Sequence, residues 1–303
     1  MIETFDYYKS FFDEHGYVVV DNAFLMEDLI TFKKNLDSLI RLCIKRASTS
    51  HSFLLPTELS AINLDLGIKL LDAIDPAYVS FIQRTISRSS EFLEFCSNRK
   101  IRDLIKFLLE MPGELPLYLT SNGVVFTNPY DEEVKTTNFN IDWHLDTFYT
   151  IPKSRFIQWW MPLYHNAVEE IGTLMVCPGS NKVNPYEVKQ IFDPSLDYNN
   201  QYYVEKDEVE KYNPISVEVK LGQILIFDGK TIHRSGINQS KNVRCTMLGL
   251  CHHVAKDDFI PITAPYKYHG LTPEAHFAEI YGDEQARKRA YDHAASNKPL
   301  GGI

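Results

Sequence analysis

From residue 117 onward the apolar residues of this chain come in short runs broken by turn formers, and no other feature narrows the fold as far. Segments 124–126, 156–163, 172–176, 222–227 and 243–250 each have the length of a strand, and Gly, Pro and Asn stand between them. Another strand leads from Asn140 into His144. Helices do not alternate with these strands, which argues against a parallel doubly wound sheet. A barrel or jelly roll is the expected core.

The first third reads differently. Residues 3–14 place Phe5, Tyr8, Phe11 and Phe12 at helical spacing, and Gly16 stops the run. A short strand follows at 17–20, then a helix over 25–46 with Leu29, Phe32, Leu36, Ile40 and Cys43 on one face. Residues 47–75 read as irregular, and 78–97 and 100–111 as two helices, the second ended by Pro112-Gly113. Near the C-terminus, Thr272-Pro273 starts a helix that runs toward Asn297 and leaves a frayed tail. The simplest division is a single domain over 1–303, mainly β with helical additions (α+β). Residues 1–115 would support it, 116–254 form the jelly-roll core, and 255–303 add a helical extension. Within the core, the acidic, Tyr-rich segment 193–214 reads as a solvated surface loop or as a lid over the site.

At 303 residues, 44% hydrophobic and 23% charged, the chain has the composition of a soluble globular protein with a full core. Its net charge of -9 argues against nucleic acid or an anionic membrane as the main partner and leaves a small molecule. Cys43, Cys96, Cys177, Cys245 and Cys251 are odd in number, dispersed and free of a Cys-x-x-Cys pair, as expected of reduced thiols in a cytoplasmic protein. Glu3 and Asp6 stand where a signal peptide would be basic and then apolar, and no apolar run approaches a membrane span.

Chemistry is concentrated in two places. In Trp143-His144-Leu145-Asp146, strand alternation would turn His144 and Asp146 to one face and Leu145 to the other. An imidazole and a carboxylate converging on one point are two-thirds of the facial triad that holds non-haem Fe(II) and leaves positions open. Then His233, 87 positions after Asp146, follows an apolar strand and can supply the third ligand, with Ser235 on its face. Asn238–Asn242 is a turn by composition, and a hairpin closing on it would bring Arg244 alongside His233 or Ser235. An inward-facing Arg in an apolar barrel needs an anion, and its planar fork suits a carboxylate.

Taken together these pieces resemble the phytanoyl-CoA dioxygenase family of Fe(II)/2-oxoglutarate-dependent oxygenases. The resemblance is carried by His144-x-Asp146, Trp160-Met161-Pro162-Leu163, Gly172-Thr173-Leu174 through Cys177-Pro178-Gly179-Ser180-Asn181-Lys182, and His233-x-Ser235 with Arg244 eleven positions after His233. It extends over residues 5–254 and includes Gly16-Tyr17-Val18-Val19-Val20. It implies a double-stranded β-helix core with helices packed around it. By the same resemblance His144, Asp146 and His233 would ligate Fe(II), and Arg244 and Ser235 would hold the distal carboxylate of 2-oxoglutarate. Trp160 would stand near the co-substrate, with Gln158 facing the same way. The implied reaction consumes O2, yields succinate and CO2, and hydroxylates a C–H bond of a small polar or sugar-like substrate. Halogenating relatives lack the carboxylate that Asp146 supplies, which favours hydroxylation.

Other assignments compete. Asp142 shares the parity of His144 from the other side, although the family pattern favours Asp146. Cys251-His252-His253 looks like a soft-metal cluster, yet three adjacent strand residues cannot face one ion. Tyr149 either lines the pocket or packs in the core; His15, His51, His165, His269, His276 and Lys182 read as surface residues. Two other functions fit the same residues less completely. One is a metal-dependent cupin-like isomerase or lyase without 2-oxoglutarate; the other is a non-catalytic carbohydrate-binding module.

Overall fold

Alternation along the long strands sorts their side chains into two sets, and the sets fill different cores. The computed structural model describes residues 2–51, 62–130, 141–146, 155–192, 202–255 and 259. Its strands are β1 (Tyr17–Val20), β2 (Tyr118–Thr127), β3 (Phe156–Pro162), β4 (Leu174–Val176), β5 (Gln190–Phe192), β6 (Tyr202–Val204), β7 (Ile215–Ser216), β8 (Ile224–Asp228), β9 (His233–Ser235) and β10 (Arg244–His252). A five-stranded antiparallel major sheet has the order β1-β8-β3-β10-β2. A minor sheet has the order β7-β4-β9, and β5 pairs with β6 apart from both.

On β3, Ile157, Trp159 and Met161 turn outward; so do Ile224 and Ile226 of β8 and Cys245, Met247 and Cys251 of β10. All of them join the core beneath the helices. The alternate residues Trp160, Leu225 and Phe227 turn inward and meet Leu174, Val176, Val217 and Val219 from the minor-sheet side. Both faces of β3 and β8 are therefore covered, so these segments are buried along their whole length. That double burial explains the continuous apolar runs seen in the sequence.

The outer face is covered by α1 (Ile2–His15), α2 (Met26–His51), α3 (Leu64–Ile74), α4 (Pro76–Ile86), α5 (Ser90–Cys96) and α6 (Arg99–Leu108). Polar caps decide where these helices begin. Asn63, Asp75, Ser89 and Asn98 each accept a first-turn backbone N–H, and Pro76 opens α4. Two expectations are corrected here. The 47–75 stretch is not irregular where described: α2 runs on to His51, and Leu64, Ile68 and Leu71 bury one face of α3. The 78–97 segment is two helices, because Ser89 caps α5 and so interrupts a continuous apolar period. The short helix α7 (Lys206–Glu210) follows β6. Of the 193–214 segment, residues 202–214 are described, and Val204 and Val209 are buried against Leu145 and Ile232. That half is packed structure, not a solvated loop; residues 193–201 and the expected helix from Thr272 lie outside the described residues. No described helix is long and apolar enough to cross a membrane.

Candidate metal centre and co-substrate site

His144 and His233 are antiparallel bridge partners, each donating its backbone N–H to the other's carbonyl at 3.0 and 3.1 Å. His144 thus sits at a single bridge, not in the regular strand expected from its surroundings. The chain neighbours Leu145 and Ile232 point the opposite way, into a small core with Cys177, Val188, Val204 and Val209. That core and the bridge together aim both imidazoles inward. Ser180 supports the arrangement: its hydroxyl accepts from the Ile232 N–H at 2.9 Å and donates to the Cys177 carbonyl at 2.7 Å.

Each ring is held by its inner nitrogen. His144 Nδ1 lies 2.6 Å from the Asp142 carbonyl, and His233 Nδ1 lies 2.9 Å from the Thr231 carbonyl. A carbonyl only accepts, so Nδ1 carries the proton and each Nε2 presents its lone pair. The ring centroids are 4.3 Å apart. Asp146 faces both Nε2 atoms, with Oδ1 3.5 Å from His144 and Oδ2 3.6 Å from His233. One ligand atom from each of the three residues fits within 4.8 Å of the others. Burial lowers the His233 pKa to about 4, with the neighbouring His144 acting in the same direction, so the ring is neutral at pH 7. Burial opposes charge on Asp146, but the two imidazoles outweigh it and its carboxyl sits below its ordinary value. Two imidazole Nε2 atoms and one carboxylate converging on a common point suit a divalent cation of the iron type. Asp142 does not join them; its carboxylate accepts from the Trp143 N–H at 2.8 Å and lies 3.8 Å from Arg234 at the surface.

Arg244 begins β10, opposite Thr127 of β2. Its Nη1 donates to the carbonyls of Gly172 and Gly236, and its Nη2 donates to Thr127 Oγ1 at 3.0 Å. Its Nε is buried with no hydrogen-bond partner. Among the described residues no carboxylate forms an ion pair with this guanidinium. Burial lowers its pKa to about 10, which leaves it charged at pH 7. A buried cation with an unused donor and no counter-ion calls for an anionic ligand.

The expected hairpin between β9 and β10 is corrected. β9 pairs with β4 in the minor sheet, whereas β10 pairs with β2 and β3 in the major sheet. The intervening turn crosses between sheets because Asn238 Nδ2 donates to both the Thr127 and Asn242 carbonyls. Arg244 therefore reaches the interior from the sheet facing His233. Ser235 lies on β9 opposite Leu174. Trp160 and Gln158 are buried on β3, opposite Leu248 and Leu250 of β10. Thr127, Gly172 and Gly236 hold Arg244, and sequence reasoning did not assign them that role. Cys251, His252 and His253 do not converge: Cys251 joins the outer core, whereas His252 Nε2 lies 2.7 Å from Thr120 Oγ1. His165 is not a bare surface residue; its Nε2 lies 3.1 Å from Asp65. Tyr149 lies outside the described residues.

The family model of phytanoyl-CoA dioxygenase (PhyH) matches residues 12–246, a span that takes in all three candidate ligands and Arg244. The chain belongs to the PhyH family. A search of curated proteins finds no match. Among solved structures, the PhyH chain is similar to the epimerase SnoN in complex with Fe3+, alpha ketoglutarate and nogalamycin RO. That match has a TM-score of 0.53 and 14% identity, and covers 86% of this chain and 89% of SnoN. EvdO2 from Micromonospora carbonacea var. aurantiaca has a TM-score of 0.53 and 15% identity, covering 86% of this chain and 95% of its own. EctD from S. alaskensis with bound Fe has a TM-score of 0.52 and 16% identity, covering 85% and 80%. At these identities the likeness is one of fold, a double-stranded β-helix core as expected for PhyH.

Proposed function

We propose that this PhyH member is an Fe(II)/2-oxoglutarate-dependent dioxygenase that hydroxylates a C–H bond of a small polar substrate. The supporting observation is one pairing: a His144–Asp146–His233 set facing the interior, and a buried Arg244 without a carboxylate partner among the described residues. When bound, iron and 2-oxoglutarate supply an O2-dependent oxidation that yields succinate, CO2 and an oxygenated product. His144, Asp146 and His233 would hold the metal. Arg244, with its unused Nε–H, would hold the distal carboxylate of 2-oxoglutarate, and Ser235 would add a hydroxyl to it. Trp160, buried in the inner core of the barrel, is assigned to the co-substrate by the family pattern.

Incubation with Fe(II), 2-oxoglutarate and O2 is expected to give metal-dependent succinate. Arg244→Ala should weaken 2-oxoglutarate binding by about tenfold to a hundredfold, the worth of a charge-assisted hydrogen bond. An Arg244→Ala variant that kept full activity, with no need for 2-oxoglutarate, would favour a cupin-like isomerase or lyase. SnoN is described as an epimerase, so the fold also hosts reactions other than hydroxylation. Oxygen from labelled O2 appearing in the product distinguishes the two outcomes.

A further inference from the structure

One inward side chain of the major sheet has no partner in the arrangement described so far. Gln158 of β3 lies between Phe227 of β8 and Leu250 of β10. It is 8% exposed, its Oε1 is buried without a hydrogen-bond partner, and no side-chain hydrogen bond reaches its amide among the described residues. Buried amides are normally satisfied by protein, water or ligand.

Its position indicates which ligand. The Phe227 ring lies 4.7 Å from that of His233, so Gln158 stands level with the metal ligands. Arg244 precedes Leu250 by six residues on β10, a rise of roughly 20 Å along the strand. Thr120 stands in the same row, opposite Leu250, and the next row away from Arg244 is Phe156, His252 and Tyr118. His252 Nε2 is 2.7 Å from Thr120 Oγ1, and the Phe156 and His252 rings are 5.1 Å apart. Burial leaves His252 neutral at pH 7. This wall is polar, aromatic and uncharged.

At neutral pH 2-oxoglutarate offers two carboxylates and a ketone, all acceptors, which can meet the Gln158 Nε2 but leave its buried Oε1 unsatisfied. A hydroxyl can donate to Oε1 and also accept from Nε2. We propose that Gln158 binds the substrate and not the co-substrate, and that the substrate is a neutral hydroxylated molecule, such as a polyol or glycoside, seated against Phe156, Thr120 and His252. The proposal rests on the metal and Arg244 assignments above and replaces the expectation that Gln158 contacts 2-oxoglutarate. A phosphorylated acyl thioester finds no cation among Tyr118, Thr120, Phe156, Gln158, Leu250 and His252.

Crystals of the full chain with Mn(II) and 2-oxoglutarate, soaked in glycerol as an uncharged hydroxyl probe, test it. The expected map has 2-oxoglutarate on Arg244 and a glycerol hydroxyl within about 3.2 Å of Gln158 Oε1. In solution, Gln158→Leu should hold the 2-oxoglutarate midpoint within about threefold of wild type, against a loss of about tenfold or more for Arg244→Ala. A 2-oxoglutarate oxygen on the Gln158 amide, glycerol absent from it, or a tenfold co-substrate defect in Gln158→Leu overturns the proposal. Failure of 2-oxoglutarate to bind at Arg244 overturns the proposed function instead. The wild-type soak decides even if the variant does not fold.

Discussion

At the residue scale, the geometry of the candidate site fixes which nitrogen of each imidazole carries the proton. His144 and His233 spend Nδ1 on backbone carbonyls, so Nε2 of each has a metal as its natural partner. His233→Ala should abolish metal-dependent succinate formation and lower metal affinity, measured by titration with Mn(II) monitored by paramagnetic resonance. His252 carries a pH signature separate from the metal ligands. Its pKa falls from 6.5 to about 4 on burial, so the folded state resists a proton that the unfolded chain accepts. Stability from this group is complete above pH 6.5 and is lost as pH falls toward 4. The loss is on the order of 2 kcal/mol. Denaturant melts of wild type and His252→Gln should therefore converge or cross between these pH values. Parallel curves would show that His252 does not titrate as its burial implies.

At the scale of elements, the aim of Arg244 depends on segments distant in sequence. Asp65, in the first turn of α3, accepts the Val243 N–H at 2.6 Å, and Lys69 of the same helix donates to the Lys241 carbonyl. Asp65→Ala should cost about 1 kcal/mol of stability and raise the Kd for 2-oxoglutarate through Arg244. The Gly172 carbonyl accepts from Arg244, its φ is +76°, and an added Cβ would come within 2.5 Å of the Gly236 carbonyl oxygen. Gly172→Ala should cost about 1–3 kcal/mol and weaken 2-oxoglutarate more than it weakens the metal. Calorimetry with each ligand checks both variants.

At the scale of the molecule, two cores share one sheet, and the helical layer and the site can be perturbed separately. Trp159 is 2% exposed on the outer face of β3, next in the chain to both Trp160 and Gln158. Trp159→Ala should destabilise the chain by about 3–5 kcal/mol while the folded fraction keeps its metal affinity. Under the proposed function, metal and 2-oxoglutarate bind only the folded state. At a hundredfold excess over Kd each should add about 2.7 kcal/mol, read as a rise in Tm. That rise should vanish in His233→Ala for the metal and shrink in Arg244→Ala for 2-oxoglutarate.

Much of this was legible in the sequence. Period and turn chemistry are local, so the short strands and most of the helices followed from neighbouring residues, whereas the inward place of Trp160 came only from the family resemblance. His144, Asp146, His233 and Arg244 stood out because their chemistry is costly to bury without a purpose. The helix break at Ser89 and the start of α3 were missed because a cap is one polar side chain within an unbroken apolar period. The family pattern already favoured Asp146 over Asp142, and Asp146 is the one that faces the imidazoles; only the tertiary structure decided that β9 and β10 belong to opposite sheets. It alone buried Gln158 without a partner. Local sequence determines which side chains share a face; which faces meet depends on pairings between residues far apart along the chain.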